Sequence, residues 1–61
     1  MNWEPTAIYK MRKENNQVIF TKNSDGRFLV SDHKESKSTF MNTKQARKLW
    51  KEYLRKGYTK V

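Results

Sequence analysis

Residues 42–58 read NTKQARKLWKEYLRKGY, and their apolar residues are spaced as on one side of an α-helix. The apolar residues recur at intervals of three and four positions, which matches 3.6 residues per turn: Ala46, Leu49, Trp50, Tyr53 and Leu54. Most of the residues between them are Lys or Arg. The sequence therefore predicts a helix over about 43–56 with an apolar side against a core and a basic side in solvent.

The start of this predicted helix carries a capping signal. Asn42 can accept a hydrogen bond from a free backbone N–H of the first turn, and Gln45 can return a bond in a capping box. Met41 and Ala46 then occupy the positions of a hydrophobic staple. These residues predict that the helix begins directly after Asn42.

The end of the helix is equally marked. Gly57 suits the left-handed backbone position that follows many helices, because glycine has no Cβ. Tyr58 would then fold back onto Tyr53, as the residue after a Schellman turn does.

Four strand-like segments precede the helix. Each is rich in β-branched or aromatic residues and is bounded by polar residues, over about 6–13, 17–23, 27–33 and 38–40. Asp25-Gly26 predicts a tight hairpin turn, and Asn15 and Asn16 suit the turn before the second strand. The predicted fold class is α+β: a three- to four-stranded antiparallel β-meander followed by one C-terminal amphipathic helix packed on one face, with residues 1–61 as a single small domain.

Alternation along the strands assigns side chains to two faces of the sheet. The set predicted to face the helix is Tyr9, Met11, Val18, Phe20, Phe28, Val30 and Phe40. The set predicted on the opposite face is Ile8, Lys10, Arg12, Ile19, Thr21, Arg27, Leu29 and His33. A shift of one residue in any strand would exchange its two sets. The aliphatic residues of the outer set predict a homodimer.

The chain is strongly basic. Fourteen Lys and Arg residues against six Asp and Glu residues give a net charge of +8. Seven of the basic residues lie in 42–61, where Glu52 is the one acidic residue. Such a concentrated positive field favours a polyanion as partner: nucleic acid, an anionic membrane surface or an acidic protein patch. A solvated helix face that keeps a small protein soluble is the alternative.

The residue inventory argues against an enzyme. The chain has no Cys and one His, His33, which stands in a lysine-rich segment without a nucleophile in a suitable position. Its carboxylates show no paired spacing, and its two glycines form no phosphate-binding loop. We therefore expect no catalytic residue, no cofactor and no metal. No stretch approaches the ~20 apolar residues of a membrane span, which predicts a soluble, cytoplasmic protein.

Part of the chain resembles a known family. Residues 26–30 (GRFLV), a polar loop, Ser38 in a short strand and a helix carrying Ala46 and Leu54 look like half of a PUR-alpha repeat. Members of that group are four-stranded sheets followed by a helix; they pair through their repeats and bind single-stranded nucleic acid, and a single-strand-binding transcriptional coactivator group uses similar modules. The resemblance covers residues 26–54 and implies both dimerisation and single-strand binding. This chain departs from the family in having one unit and a more basic helix.

The end of the chain has a second likeness. Ala46, Leu49-Trp50, Leu54, Gly57-Tyr58 and Val61 are similar to the close of a family of short uncharacterised proteins of photosynthetic marine bacteria and their phages. That likeness implies no activity.

Nucleic-acid binding is the leading hypothesis from the sequence, for single-stranded or duplex DNA or RNA. Phosphates would contact the basic side of the helix, namely Lys44, Arg47, Lys48, Lys51 and Arg55. A second surface would be the sheet around Lys10, Arg12 and Arg27. Apolar side chains near these cations would lie against unstacked bases, or the sheet would insert into a duplex major groove.

Two other classes of partner fit the same residues. The first is an acidic protein surface, bound by a small adaptor or inhibitor of the kind that phages encode. The second is a membrane surface, which would require Leu49, Trp50 and Tyr53 to be free of the sheet.

Overall fold

Five antiparallel strands and one helix make up the part of the chain that the structure, a computed structural model, describes, residues 4–61. The elements are β1 (Pro5–Lys13), β2 (Asn16–Asn23), β3 (Phe28–Asp32), β4 (Lys37–Met41), α1 (Thr43–Arg55) and β5 (Thr59–Lys60). The strand order is β4-β3-β2-β1-β5, and the helix packs against the sheet. The predicted α+β fold class is confirmed.

The last strand was not predicted. β4 and β5 lie at opposite edges of the sheet, so α1 carries the chain from one edge to the other across one face. β5 then pairs with β1, with Thr59 opposite Arg12 and Lys60 opposite Met11. A strand of two residues has too short a pattern to be recognised in a sequence.

The observed hairpin turns agree with the turns predicted from the sequence in part. Gly26 adopts a φ of 91°, and the Arg27 amide donates to the Asp25 carboxylate, as expected for an Asp-Gly turn. In the turn between β1 and β2 the left-handed position is held by Glu14, with a φ of 52°, and not by either asparagine. Asn16 is already part of β2.

The core lies between the sheet and α1. Its buried members are Met11, Val18, Phe20, Phe28 and Val30 from the sheet and Ala46 from the helix, which confirms these assignments. Met41, Leu49, Trp50, Tyr53 and Tyr58 are partly buried against them. Leu54, predicted on the apolar side of the helix, is 47% exposed and lies at the margin of that side.

The predicted orientation of Phe40 is wrong. β4 pairs with β3 so that Phe40 stands opposite Leu29, whereas Met41 stands opposite Phe28 and Thr39 opposite Val30. Because paired residues share a face of the sheet, Met41 turns towards the core and Phe40 to the outer face, where it is 61% exposed.

Both ends of the helix are confirmed. The backbone N–H of Gln45 donates to the Asn42 side-chain oxygen at 2.8 Å, and the backbone N–H of Asn42 donates to the Gln45 side-chain oxygen at 3.2 Å. At the other end Gly57 has a φ of 98°, and the Tyr58 amide donates to the Tyr53 carbonyl at 3.0 Å. The Tyr53 and Tyr58 rings meet edge to face with centroids 4.9 Å apart.

Candidate functional site

The exposed side of α1 carries a row of cations, which we call the basic helix face: Lys44, Arg47, Lys48, Lys51 and Arg55. Their spacing of three or four residues places them along one side of the helix. Ala46, Leu49, Trp50 and Tyr53 on the other side contact the core, and this contact fixes the direction in which the cations point. Part of the face forms an open depression of about 500 Å³ lined by Thr43 and the first four cations.

Among residues 4–61, none of these five cations takes part in an ion pair. Across residues 4–61 the one ion pair joins Arg27 to Asp25, and α1 has no acidic residue in its first turn. No hydrogen bond within that part of the chain involves the charged group of any of the five. Their charges therefore remain available to an anionic partner.

The structure does not gather the three cations predicted on the sheet into one patch. Arg27 lies in the turn before β3, and its Nε donates to the Asp25 carboxylate at 2.9 Å. The backbone hydrogen bond from Arg27, together with its charge, lowers the pKa of Asp25. Lys10 lies in the same row of paired residues as Ser31 of β3, and strand geometry puts Arg27 about 13 Å along the sheet from that row. Arg12 is separate from the Arg27–Asp25 pair. Its Nε donates to the Glu14 carbonyl at 3.2 Å.

The sheet face opposite the helix, called here the outer sheet face, carries both apolar and polar side chains. One row across the paired strands is Ile8, Thr21, Leu29 and Phe40, and the next is Lys10, Ile19, Ser31 and Ser38. Ile8 is 59% exposed, and Val61, beside Lys10 at the edge, is 70% exposed. Lys10 thus stands among aliphatic side chains, as predicted.

A feature that the sequence analysis missed is a small groove between the sheet and the first half of α1. Its rim is formed by Tyr9, Lys22, Arg47 and Trp50, and it has a volume of about 200 Å³. We call it the aromatic groove. The available signal was Lys22, a cation at a position of β2 where alternation after Val18 and Phe20 places the side chain on the helix side.

A larger open cleft of about 750 Å³ lies at the opposite end of the helix. Lys13, Lys34 and Lys56 line it together with Glu14. The ammonium of Lys13 donates to the Lys56 carbonyl, so it serves the free carbonyl end of α1. This arrangement is explained by helix capping.

The residues considered for catalysis lie around the end of β3. His33 is exposed in the loop after β3, while the Ser31 hydroxyl is 3.0 Å from that of Ser38. Within residues 4–61, no three His, Cys, Asp or Glu side chains come close enough to hold a metal ion. In the same range, α1 is too short and too polar to cross a membrane.

Comparisons with protein families, curated proteins and solved structures found no match for this chain. The resemblance to a PUR-alpha repeat accordingly stays a prediction.

Proposed function

We propose that this protein is a non-enzymatic nucleic-acid-binding protein that contacts phosphates through the basic helix face. The observation that carries the proposal is the row of five exposed, unpaired cations on a helix whose other side is fixed against the core. A cytoplasmic location, where DNA and RNA are accessible, is part of the proposal.

The dimensions of the face suit a phosphate backbone. Lys44 and Arg55 are eleven residues apart, which corresponds to about 16 Å along a helix. One strand of B-form DNA presents about five phosphates over that length. Contacts of this kind are independent of base sequence, and lysine, which outnumbers arginine ten to four in the chain, is a point charge without a fixed hydrogen-bonding geometry.

Binding through these cations should depend steeply on salt. Each neutralised phosphate releases condensed counterions, so five contacts give a slope of up to about −4.5 in log K against log salt for duplex DNA. A single strand would give up to about −3.5.

The alternative function is that of a small adaptor or inhibitor, phage-encoded or bacterial, that binds an acidic protein surface. The same face would serve it, because carboxylates and phosphates both attract Lys and Arg. A competition arm with polyglutamate separates the two, since that polymer carries carboxylates without phosphates.

The test is a fluorescence-anisotropy titration of single-stranded DNA, duplex DNA and RNA oligomers, each at two salt concentrations. The key variant is Lys48→Glu/Lys51→Glu/Arg55→Glu. Its matched control, Lys34→Glu/Lys37→Glu/Lys60→Glu, changes the net charge equally at exposed positions that are not part of the helix. Circular dichroism verifies that both variants are folded.

We expect salt-sensitive binding that is lost in the helix variant and largely kept in the control. Binding that survives in the helix variant would move the contact to the sheet, at Lys10, Arg12 and Arg27. Equal losses in the two variants would show that net charge, and not the helix face, sets the affinity, which would overturn the proposed site. Absence of binding to every oligomer at low salt would overturn the proposal. Competition by polyglutamate as strong as by DNA would favour the acidic protein partner.

We also propose that two copies pair through the outer sheet face. The helix covers the other face, and Ile8, Ile19, Leu29 and Val61 leave an aliphatic surface in solvent contact. Burial of such a surface is favourable in proportion to its area, at roughly 25 cal/mol per Å². Pairing there would leave the basic helix faces of both copies accessible to nucleic acid.

A further inference from the structure

The aromatic groove is continuous with the basic helix face. Thr43 and Arg47 line both the groove and the open depression that contains Lys44, Lys48 and Lys51. A strand of nucleic acid that follows the basic helix face therefore passes the mouth of the groove.

The groove is lined by rings that are held in place. Trp50 meets Phe20 edge to face, with centroids 5.1 Å apart and an interplanar angle of 74°. It meets Tyr9 in the same manner at 6.3 Å and 77°. Phe20 is 2% exposed and anchors this set, whereas Tyr9 is 38% exposed at the rim. A planar ligand can lie against one rim ring and touch the edge of the other without rearrangement of the core.

Two cations complete the rim. Lys22 is half-buried on the helix side of β2, and Arg47 is exposed on α1. Within residues 4–61 neither charged group has a hydrogen bond or an ion pair. A partly desolvated ammonium beside aromatic rings favours an anion that also offers a flat apolar surface.

On the basis of the proposed function, we infer that the aromatic groove binds one unstacked base of a single-stranded nucleic acid. Its phosphates contact Lys22, Arg47 and the basic helix face. The volume of about 200 Å³ is below the roughly 300–1,000 Å³ of pockets for drug-sized ligands, and it suits a single ring system. Bases in a duplex are paired and stacked, so they do not reach the groove. The groove thus gives a preference for single strands that the helix cations alone do not.

The first test compares three ligands of equal length: a single-stranded DNA oligomer, the same backbone with abasic sites throughout, and a duplex. The abasic oligomer keeps the phosphates and lacks the bases. The variants are Tyr9→Leu, which removes the rim ring, and Tyr9→Phe, which keeps it. Leu54→Ala, which shortens a partly exposed apolar side chain of α1 outside the groove, is the control.

We expect Tyr9→Leu to weaken single-strand binding about tenfold, the effect of losing one base–aromatic contact. Binding of the duplex and of the abasic oligomer should stay unchanged. Tyr9→Phe and Leu54→Ala should keep the single-strand affinity of the parent protein.

The second test reports the groove directly. In a Trp3→Phe background, Trp50 is the one remaining tryptophan, so its fluorescence should be quenched by the single-stranded oligomer and not by the abasic oligomer. Equal affinities for all three ligands, with no quenching and no effect of Tyr9→Leu, would overturn the groove and leave the proposed function intact. Absence of binding to all three and to RNA oligomers would overturn both.

Discussion

The Tyr53 hydroxyl donates a hydrogen bond to the Asp32 carboxylate at 3.2 Å, which joins the helix to the end of β3. Burial of the phenol and the negative charge of Asp32 raise the pKa of Tyr53 to about 12, from a usual value of 10.0. Burial alone would raise the pKa of Asp32 as well. The Asn16 side chain, the Tyr53 hydroxyl and the backbone amides of Lys34 and Glu35 outweigh that effect and lower it.

The raised pKa of Tyr53 predicts a loss of stability in alkali. The folded protein keeps the phenolic proton at a pH where the unfolded chain has lost it, so this contribution is complete below pH 10 and disappears as the pH rises through about 12. Urea denaturation across this range should show a steeper loss for the parent protein than for Tyr53→Phe. The difference between the two pH profiles separates the contribution of Tyr53 from that of all other groups. Parallel pH profiles would contradict the prediction.

The lowered pKa of Asp32 predicts a loss of stability in acid. Because its folded pKa lies below the usual 3.8, the carboxylate stabilises the protein above that pH, and the contribution is lost as the pH falls through the lowered value. Asp32→Asn should be less stable at neutral pH and should flatten the acid side of the profile. Asp25 also has a lowered pKa, so Asp25→Asn is the control for a carboxylate that does not contact the helix. An unchanged acid profile in Asp32→Asn would refute the assignment.

The orientation of β4 was predictable from the sequence, and two of our expectations about it were incompatible. A hydrophobic staple between Met41 and Ala46 requires Met41 to face the helix. In a strand, the residue before it must then face away, so Phe40 belongs on the outer face. Alternation alone allows Phe40 on either face, whereas the cap at Asn42 places Met41 towards the helix. In this protein the start of the helix sets the register of the preceding strand.

The candidate surfaces differed in how far the sequence could locate them. The basic helix face lies on one element, so the period of 3.6 residues was sufficient to find it. The aromatic groove is formed by residues of three elements, namely Tyr9, Lys22, Arg47 and Trp50. No local sequence pattern indicates that these residues lie close together. Arg27 was expected with Lys10 and Arg12, but local pairing with Asp25 holds it in the turn.

The N-terminal cap of α1 predicts a specific loss of stability. Asn42→Ala removes the acceptor for the Gln45 amide and should lower the free energy of unfolding by about 1 kcal/mol. Asn42→Asp keeps an acceptor and adds a negative charge near a first turn that has none, so it should preserve or increase stability. Thermal melts followed by circular dichroism give the comparison. Equal losses in the two variants would show that the side-chain acceptor is unimportant.

Replacement of Trp50 should lower the free energy of unfolding more than replacement of Asn42, because Trp50 joins the helix to both Phe20 and Tyr9. Trp50→Ala should cost about 3–5 kcal/mol, which approaches the whole stability of a 61-residue domain. Leu54→Ala is the matched control on the same helix, since Leu54 is 47% exposed and should cost far less. The measurement is urea denaturation of both variants. A cooperative transition of Trp50→Ala near that of the parent protein would count against this role.

Pairing through the outer sheet face predicts a distinctive dependence on salt. Lys10 and Arg12 lie on that face, so two copies would bring four cations together, and screening by salt should strengthen the dimer. Nucleic-acid binding by the helix should respond in the opposite direction, because salt weakens phosphate contacts. Sedimentation equilibrium at two salt concentrations measures the dimer. Ile8→Lys should abolish it by adding a charge at a position that is 59% exposed, whereas Leu54→Lys on the helix should not. A mass equal to one chain at high protein concentration and high salt would refute the pairing. A dimer that Ile8→Lys leaves intact would place the interface on another surface.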